Sequence, residues 1–224
     1  MSANLIPILW EATLQTIYMV VVSGLIGTVL GLPLGVFLAT SKRGELMSSP
    51  LANRVLGLVV NAMRSVPFII LVVAIIPFTR MIAGTSIGTT AAIVPLTLAA
   101  APFIARIVET AIREVDGGLI EAARAMGATP GQIISKVLLP EALPGIVLGL
   151  TLAIVSLIGY SAMVGAVGGE GLGDLGIRYG YQRFMPDVML AVVVILIVLV
   201  QAVQSLGEWI ARRLDHRAAK DRGL

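Results

Sequence analysis

The sequence predicts an all-α integral membrane protein with five transmembrane helices, its N-terminus outside and its C-terminus in the cytoplasm. Three observations predict it. Charged residues make up 13% and apolar residues 57% of the 224-residue chain, against about 25% and about 45–50% in a soluble domain. Half the usual charge cannot cover a water-facing surface of this size. Apolar runs long enough to cross a bilayer recur along the chain. The basic residues gather on one side of those runs.

A helix needs about 20 apolar residues to cross a hydrocarbon core of about 30 Å. Runs without Asp, Glu, Lys or Arg cover 12–41, 81–105, 142–169 and 188–207. A fifth segment, 55–79, is equally apolar but contains Arg64. The helices are therefore placed at about 14–40, 55–79, 86–110, 143–166 and 187–209. Barrel strands alternate with period two over about ten residues. These runs are apolar on every side and far longer. No Lys or Arg precedes Lys42, and the first run is too long for the apolar part of a cleaved signal peptide.

The first loop holds Lys42, Arg43 and Arg54, and the third holds Arg106, Arg113, Arg124 and Lys136. The C-terminal tail holds Arg212, Arg213, Arg217, Lys220 and Arg222. The opposite side has only Arg80, Arg178 and Arg183. By the positive-inside rule the richer side faces the cytoplasm. Trp10, Tyr179, Tyr181 and Phe184 then fall near the outer interface and Trp209 near the inner one. This topology accounts for the net charge of +3 without any nucleic-acid partner. The composition likewise excludes a disordered tail and an ordinary soluble enzyme. With no Cys in the chain, disulfides, thiol catalysis and Cys-based metal sites are absent. The single histidine, His216, sits in the basic tail, which removes His-ligated metals and His-based triads.

The spans carry distinctive residues. Gly24, Gly27, Gly31 and Gly35 lie in the first, the last three at GxxxG spacing, and Gly145 and Gly149 lie in the fourth. Small residues let helices approach closely in lipid, either within the chain or against a second subunit. Pro33, Pro67, Pro77, Pro95, Pro102 and Pro144 bend their helices, which suits opening and closing as well as plain packing. Arg64 stands about ten residues in from the cytoplasmic end of the second span. An arginine at mid-membrane costs at least a few kcal/mol. It therefore faces a watery path, pairs with an acid, or snorkels inward.

Gly171-Leu172-Gly173-Asp174-Leu175-Gly176 fits GxGxxG, but a dinucleotide site needs a preceding strand and this run follows a membrane helix. Its first four residues also fit the Gly-x-Gly-Asp pattern of intramembrane aspartyl proteases. That chemistry needs a second nearby Asp, and no Asp lies in a span. The run reads as a flexible outer loop. No lysine lies in a span, so no Ser–Lys protease is supported. No GxxxxGK[ST] run exists, so the chain has no ATP-binding P-loop of its own.

The longest polar stretch is the third loop, 107–142. Asp116-Gly117-Gly118 ends the third span. A short helix then runs from about Leu119 to Met126, with Ala122, Ala123 and Ala125 giving it small faces. Gly127 ends it in the left-handed conformation. Thr129, Pro130 and Gln132 form a capping box with proline at the first helical position. The second short helix ends near Leu139-Pro140. Two such helices with an Ala-rich ridge are shaped to dock into a groove on another protein.

Glu121-Ala122-Ala123, then Gly127, then Val137-Leu138-Leu139-Pro140 resemble the EAA loop of ATP-binding-cassette (ABC) importer permeases. That pattern runs Glu-Ala-Ala, three residues, Gly, nine residues, Ile-x-Leu-Pro, and Val137 in place of Ile is the one departure. The stretches RSVPFIILVVAIIPFTR, GTSIGTTAAIVPLTLAAAPFIARIVE and GYSAMVGAVGGEGLG are similar to the methionine-uptake branch of these type I importers. With the loop they cover spans two to four almost continuously.

The resemblance implies one permease domain, 1–224, in the bacterial inner membrane, with 107–142 as a coupling loop. It implies a homodimer around one path and two separate ATPase subunits that carry ATP and Mg. A periplasmic or lipid-anchored binding protein would deliver methionine. No cofactor, metal or catalytic site belongs to this chain. Glu121 would contact the ATPase, and Ala122, Ala123 and Ala125 would allow close approach. Gly127 would set the turn, and the gripped stretch would end at Leu139, with Pro140 separating it from the fourth span. Tyr160, Ser161 and Met163, near that span's outer end, form a gate or pack ordinarily. Arg64, Ser65 and Pro67 line the path. The alternatives are a permease for another small amino acid or related substrate, and an ion-coupled secondary transporter. The latter often carries buried acids or internal repeats, and neither an acid in a span nor a clear repeat is read here.

Overall fold

The computed structural model describes residues 5–42 and 45–214. Arg43, His216, Arg217, Lys220 and Arg222 lie outside them. Among the described residues all regular structure is helical. Three stretches stand alone as long apolar helices: α1 (Leu5–Thr40), α5 (Thr89–Arg113) and α10 (Pro186–Leu214). A fourth runs from Pro130 to Gly165. Helix α1 begins well before the expected position 14 because Leu5–Trp10 continues the apolar pattern and Glu11 points outward. Its 36 residues reach about 54 Å at 1.5 Å per residue, well beyond one hydrocarbon core.

The second span, expected as one helix over 55–79, is broken. Helix α2 (Pro50–Ser65) meets α3 (Phe68–Ala74) at 101°, and α4 (Ile76–Ala83) follows. The break sits at Val66-Pro67. Pro67 has no N–H to continue the ladder, and its ring drives the preceding residue out of the helical region. Val66 accordingly has φ −81° and ψ 124°.

The fourth span also departs from expectation, in the opposite sense. The helix that begins at Pro130 does not end near Leu139-Pro140. Helix α7 (Pro130–Ile133) passes through a π-helical turn (Ile134–Leu138) into α8 (Leu139–Gly165). Leu139 N–H donates to the Ile134 carbonyl, five residues back. This wider turn admits Pro140, which lacks an N–H, without breaking the helix. Pro140 therefore does not separate loop from span. The polar connection narrows from 107–142 to 114–129, holding α6 (Gly117–Ala125).

Helix α1 packs along α5 through its glycines. A Cβ on Gly27 would lie 2.7 Å from Ala100 Cβ, and on Gly31 2.6 Å from the Ala101 carbonyl oxygen. The GxxxG stripe thus serves contact within the chain. Gly149 receives Ile107 of α5 in the same way, and Gly207 of α10 receives Thr151 of α8. Met19, Leu96, Ile104, Val108 and Leu157 fill the space between.

The glycine-rich run read as a flexible outer loop is helical and packed. It forms α9 (Gly171–Leu175) and a second π-helical turn (Gly176–Tyr181). Two α1 side chains cap it: Gly171 N–H donates to Gln15 Oε1 at 3.0 Å and Leu172 N–H to Thr16 Oγ1 at 2.9 Å. Any side chain on Gly173 would collide with the Ala162 backbone. These glycines let α9 seat against α8, so they confer close packing rather than freedom.

Candidate coupling loop and pathway

The loop is built from local caps. Asp116 Oδ1 accepts the Gly118 N–H at 2.7 Å, so α6 starts two residues earlier than expected. At its other end Gly127 has φ +79°. Ala128 N–H donates to the Ala123 carbonyl at 3.1 Å and Gly127 N–H to the Arg124 carbonyl at 2.9 Å. That pair of bonds is the Schellman motif, which needs a left-handed residue at this position. Thr129 N–H then donates to Gln132 Oε1 at 2.9 Å, and Gln132 N–H to Thr129 Oγ1 at 3.4 Å. The expected capping box is therefore present, and it fixes the angle at which the chain enters α7.

The faces of α6 divide by helical period. Leu119, Ala122 and Met126 form one exposed stripe, with Glu121 and Ala125 beside it, and Met126 is 82% exposed. Ala123 faces the other way and is 3% exposed, packed into the core with Ile133 and Leu138. Ala123 is thus absent from the exposed stripe. Its small side chain instead lets α6 rest on the helix that continues into α8. Leu119 and Met126 lie on the exposed stripe although the EAA pattern does not mark them, and spacings of three and four residues place them there. Leu139 is half-buried and Pro140 exposed.

Arg106 and Arg113, assigned to the loop by sequence, lie on α5 around the buried Glu109. Both guanidiniums are 2.5 Å from its carboxylate. Glu109 is 5% exposed, which corrects the reading that no acid lies in a span. Arg106 also donates to Asn61 Oδ1 at 2.8 Å and to the Gly57 carbonyl at 3.2 Å. Arg113 and Asn53 both donate to the Leu38 carbonyl, at 3.2 and 2.8 Å. This cluster joins α5 to α2 and satisfies a carbonyl that the C-terminus of α1 leaves unpaired. A cavity of about 590 Å³ opens beside it, lined by Arg54, Asn61 and Ser65 among others.

The six residues assigned to path or gate do not form one group. Tyr160 stacks on Phe68 with ring centroids 4.4 Å apart. Arg64 lies over Phe103 at 5.8 Å. These four side chains line one cavity of about 170 Å³. Ser65 Oγ donates to the Asn61 carbonyl at 2.9 Å and lines the larger cavity instead. Pro67 is exposed at the break between α2 and α3. Ser161 is 2% exposed, and its hydroxyl donates to the Ile158 carbonyl at 2.7 Å, so it lines neither cavity. Met163 is 46% exposed, on the surface of α8. No group of three metal-ligating side chains occurs among the described residues.

Long apolar helices around a broken span, carrying a compact capped loop with an exposed stripe, define a multi-pass membrane transport subunit. The chain belongs to the family of binding-protein-dependent transport system inner membrane components, whose model matches residues 31–218. The probable D-methionine transport system permease protein MetI of Vibrio cholerae is 58% identical over 210 residues, covering 94% of this chain and 93% of that protein. The D-methionine transport system permease protein MetI of Escherichia coli K12 is 55% identical over 162 residues, covering 71% and 75%. An inward-facing structure of the MetNI methionine ABC transporter contains a similar chain, with a TM-score of 0.94 and 51% identity. That match covers 96% of this chain and all of the other.

Proposed function

We propose that this chain is the permease subunit of an ATP-driven methionine importer. The observation that carries the reading is the likeness to the chain of a methionine ABC transporter, which extends over 96% of the length at 51% identity. Two copies enclose one path, and apolar side chains exposed on α2 and α3, such as Leu58, Val59, Ile70 and Val73, meet lipid or the second copy. The N-terminus lies outside and the C-terminus in the cytoplasm, a reading supported by the bias of the basic residues. A separate ATPase subunit grips each loop along Leu119, Glu121, Ala122, Ala125 and Met126, and holds the ATP and Mg. A periplasmic or lipid-anchored binding protein supplies methionine.

The loop geometry supports a lever. Helix α6 follows α5 through the Asp116 cap and bears on the α7–α8 helix through Ala123. A push on its exposed stripe therefore reaches two spans at once. The π-helical turn at Ile134–Leu138 is the place where that long helix yields most easily.

The test is uptake of labelled methionine into proteoliposomes holding permease, ATPase and binding protein. The expected result is uptake that needs ATP and stops when the ATPase is inactivated. Uptake that follows an ion gradient without ATP would sink the reading. ATP-driven uptake of another amino acid in preference to methionine would sink only the substrate.

A further inference from the structure

We infer that the cavity at the broken second span is a binding site for a single amino acid zwitterion with an unbranched apolar side chain, within the permease itself. The inference rests on the reading of the cargo as methionine and assigns that cargo a place.

Three observations converge on it. Arg64 has no ion-pair or hydrogen-bond partner among the described residues, only the Phe103 ring at 5.8 Å. A lone guanidinium within a span is costly, and Glu109, the buried carboxylate of the adjoining helix, is already held by two arginines. Arg64 is thus free to hold a carboxylate, and its fork matches the two oxygens.

The backbone beside it is also unsatisfied. Irregular backbone within a membrane occurs where it lines a cavity. The last carbonyls of α2, at Met63 to Ser65, have lost their helical donors, because Pro67 carries no N–H and Phe68 begins a new helix at 101°. Carbonyls freed in this way accept from an ammonium group.

The remaining wall is apolar and soft. Phe68, Phe103, Tyr160 and Met63 line the cavity with Ala99, and a thioether makes favourable contacts with aromatic ring edges. The cavity, about 170 Å³, has room for one small ligand beside Arg64.

The chain has no cysteine, so a single probe can be placed. Ala99→Cys in the full complex with its ATPase, labelled with a small maleimide, reports on occupancy. Methionine is expected to slow labelling, norleucine to slow it less, and methioninol, which lacks the carboxylate, to leave it unchanged. Adding Arg64→Gln should raise the methionine concentration needed by about tenfold or more, while Arg64→Lys should recover part of the loss. Labelling that methionine does not slow, or slows equally with Arg64→Gln, would overturn the site. Methionine uptake by the wild-type complex, measured separately, distinguishes this failure from a wrong cargo.

Discussion

The Glu109 carboxylate lies 2.5 Å from the Arg113 guanidinium, one helical turn away on α5, and Arg106 holds its other oxygen. Glu109→Gln preserves shape but leaves two guanidiniums without a countercharge. Breaking a buried pair costs about 3–5 kcal/mol. The arginine side chains here are 26% and 37% exposed, so solvent screening lowers the expected loss to about 2 kcal/mol. Adding Arg113→Gln should cost less than the sum of the two single changes. Thermal unfolding of the detergent-solubilised protein measures both, and strictly additive losses would show that the pair does not interact.

Gly35 makes the tightest of the α1–α5 approaches. A Cβ there would sit 2.5 Å from the Ala105 carbonyl oxygen and 2.6 Å from Val108 Cβ. Gly35→Val should therefore destabilise by about 1–3 kcal/mol or more, through overpacking. Gly24→Ala, whose new methyl would meet Leu157 Cδ1 at an ordinary 3.6 Å, should be neutral or slightly stabilising. Equal melting temperatures for the two variants would refute the packing account.

The exposed stripe and the buried face of α6 are separable by mutation. Ala122→Trp adds bulk where the ATPase would dock and nothing intramolecular is touched. It should abolish co-purification of the ATPase while leaving the melting temperature of the permease alone unchanged. Ala123→Leu, at a 3% exposed position, should lower that melting temperature by overpacking. The reverse pattern would place the docking face on the wrong side of the helix.

Features set by a few neighbouring residues are legible in the sequence. Apolar run length marks every span, and the caps at Gly127 and Thr129 involve partners within five residues. Features that depend on distant partners are not. The fate of a proline is one: Pro67 breaks its span, whereas Pro140 is absorbed by a π-helical turn, and nothing in either local sequence distinguishes them. Glu109 is another: charge next to a span end reads as loop, and although Arg106 and Arg113 stand one helical turn away in the sequence, the burial of Glu109 and the contacts of the two arginines with α2 and α1 emerge only on folding. The inward turn of Ala123 is different. It follows from helical period with Ile120, and the Ala-rich ridge obscures it. Arg64 and Tyr160 stand out separately in the sequence, but only the 101° break brings them to one cavity.

Gly127 tests the lever. Its φ of +79° costs an ordinary L-residue about 1–2 kcal/mol, and a Cβ added there would meet no atom within 4 Å. Gly127→Val therefore acts through the backbone alone. It weakens the Schellman bonds and lets α6 and α7 change their mutual angle, far from the spans. Membrane insertion and ATPase binding should survive, while methionine uptake per ATP hydrolysed should fall several-fold. Gly127→Asn, which tolerates the left-handed conformation, should retain most of the coupling. A valine variant that couples as well as wild type in proteoliposomes would leave the loop as a passive clasp.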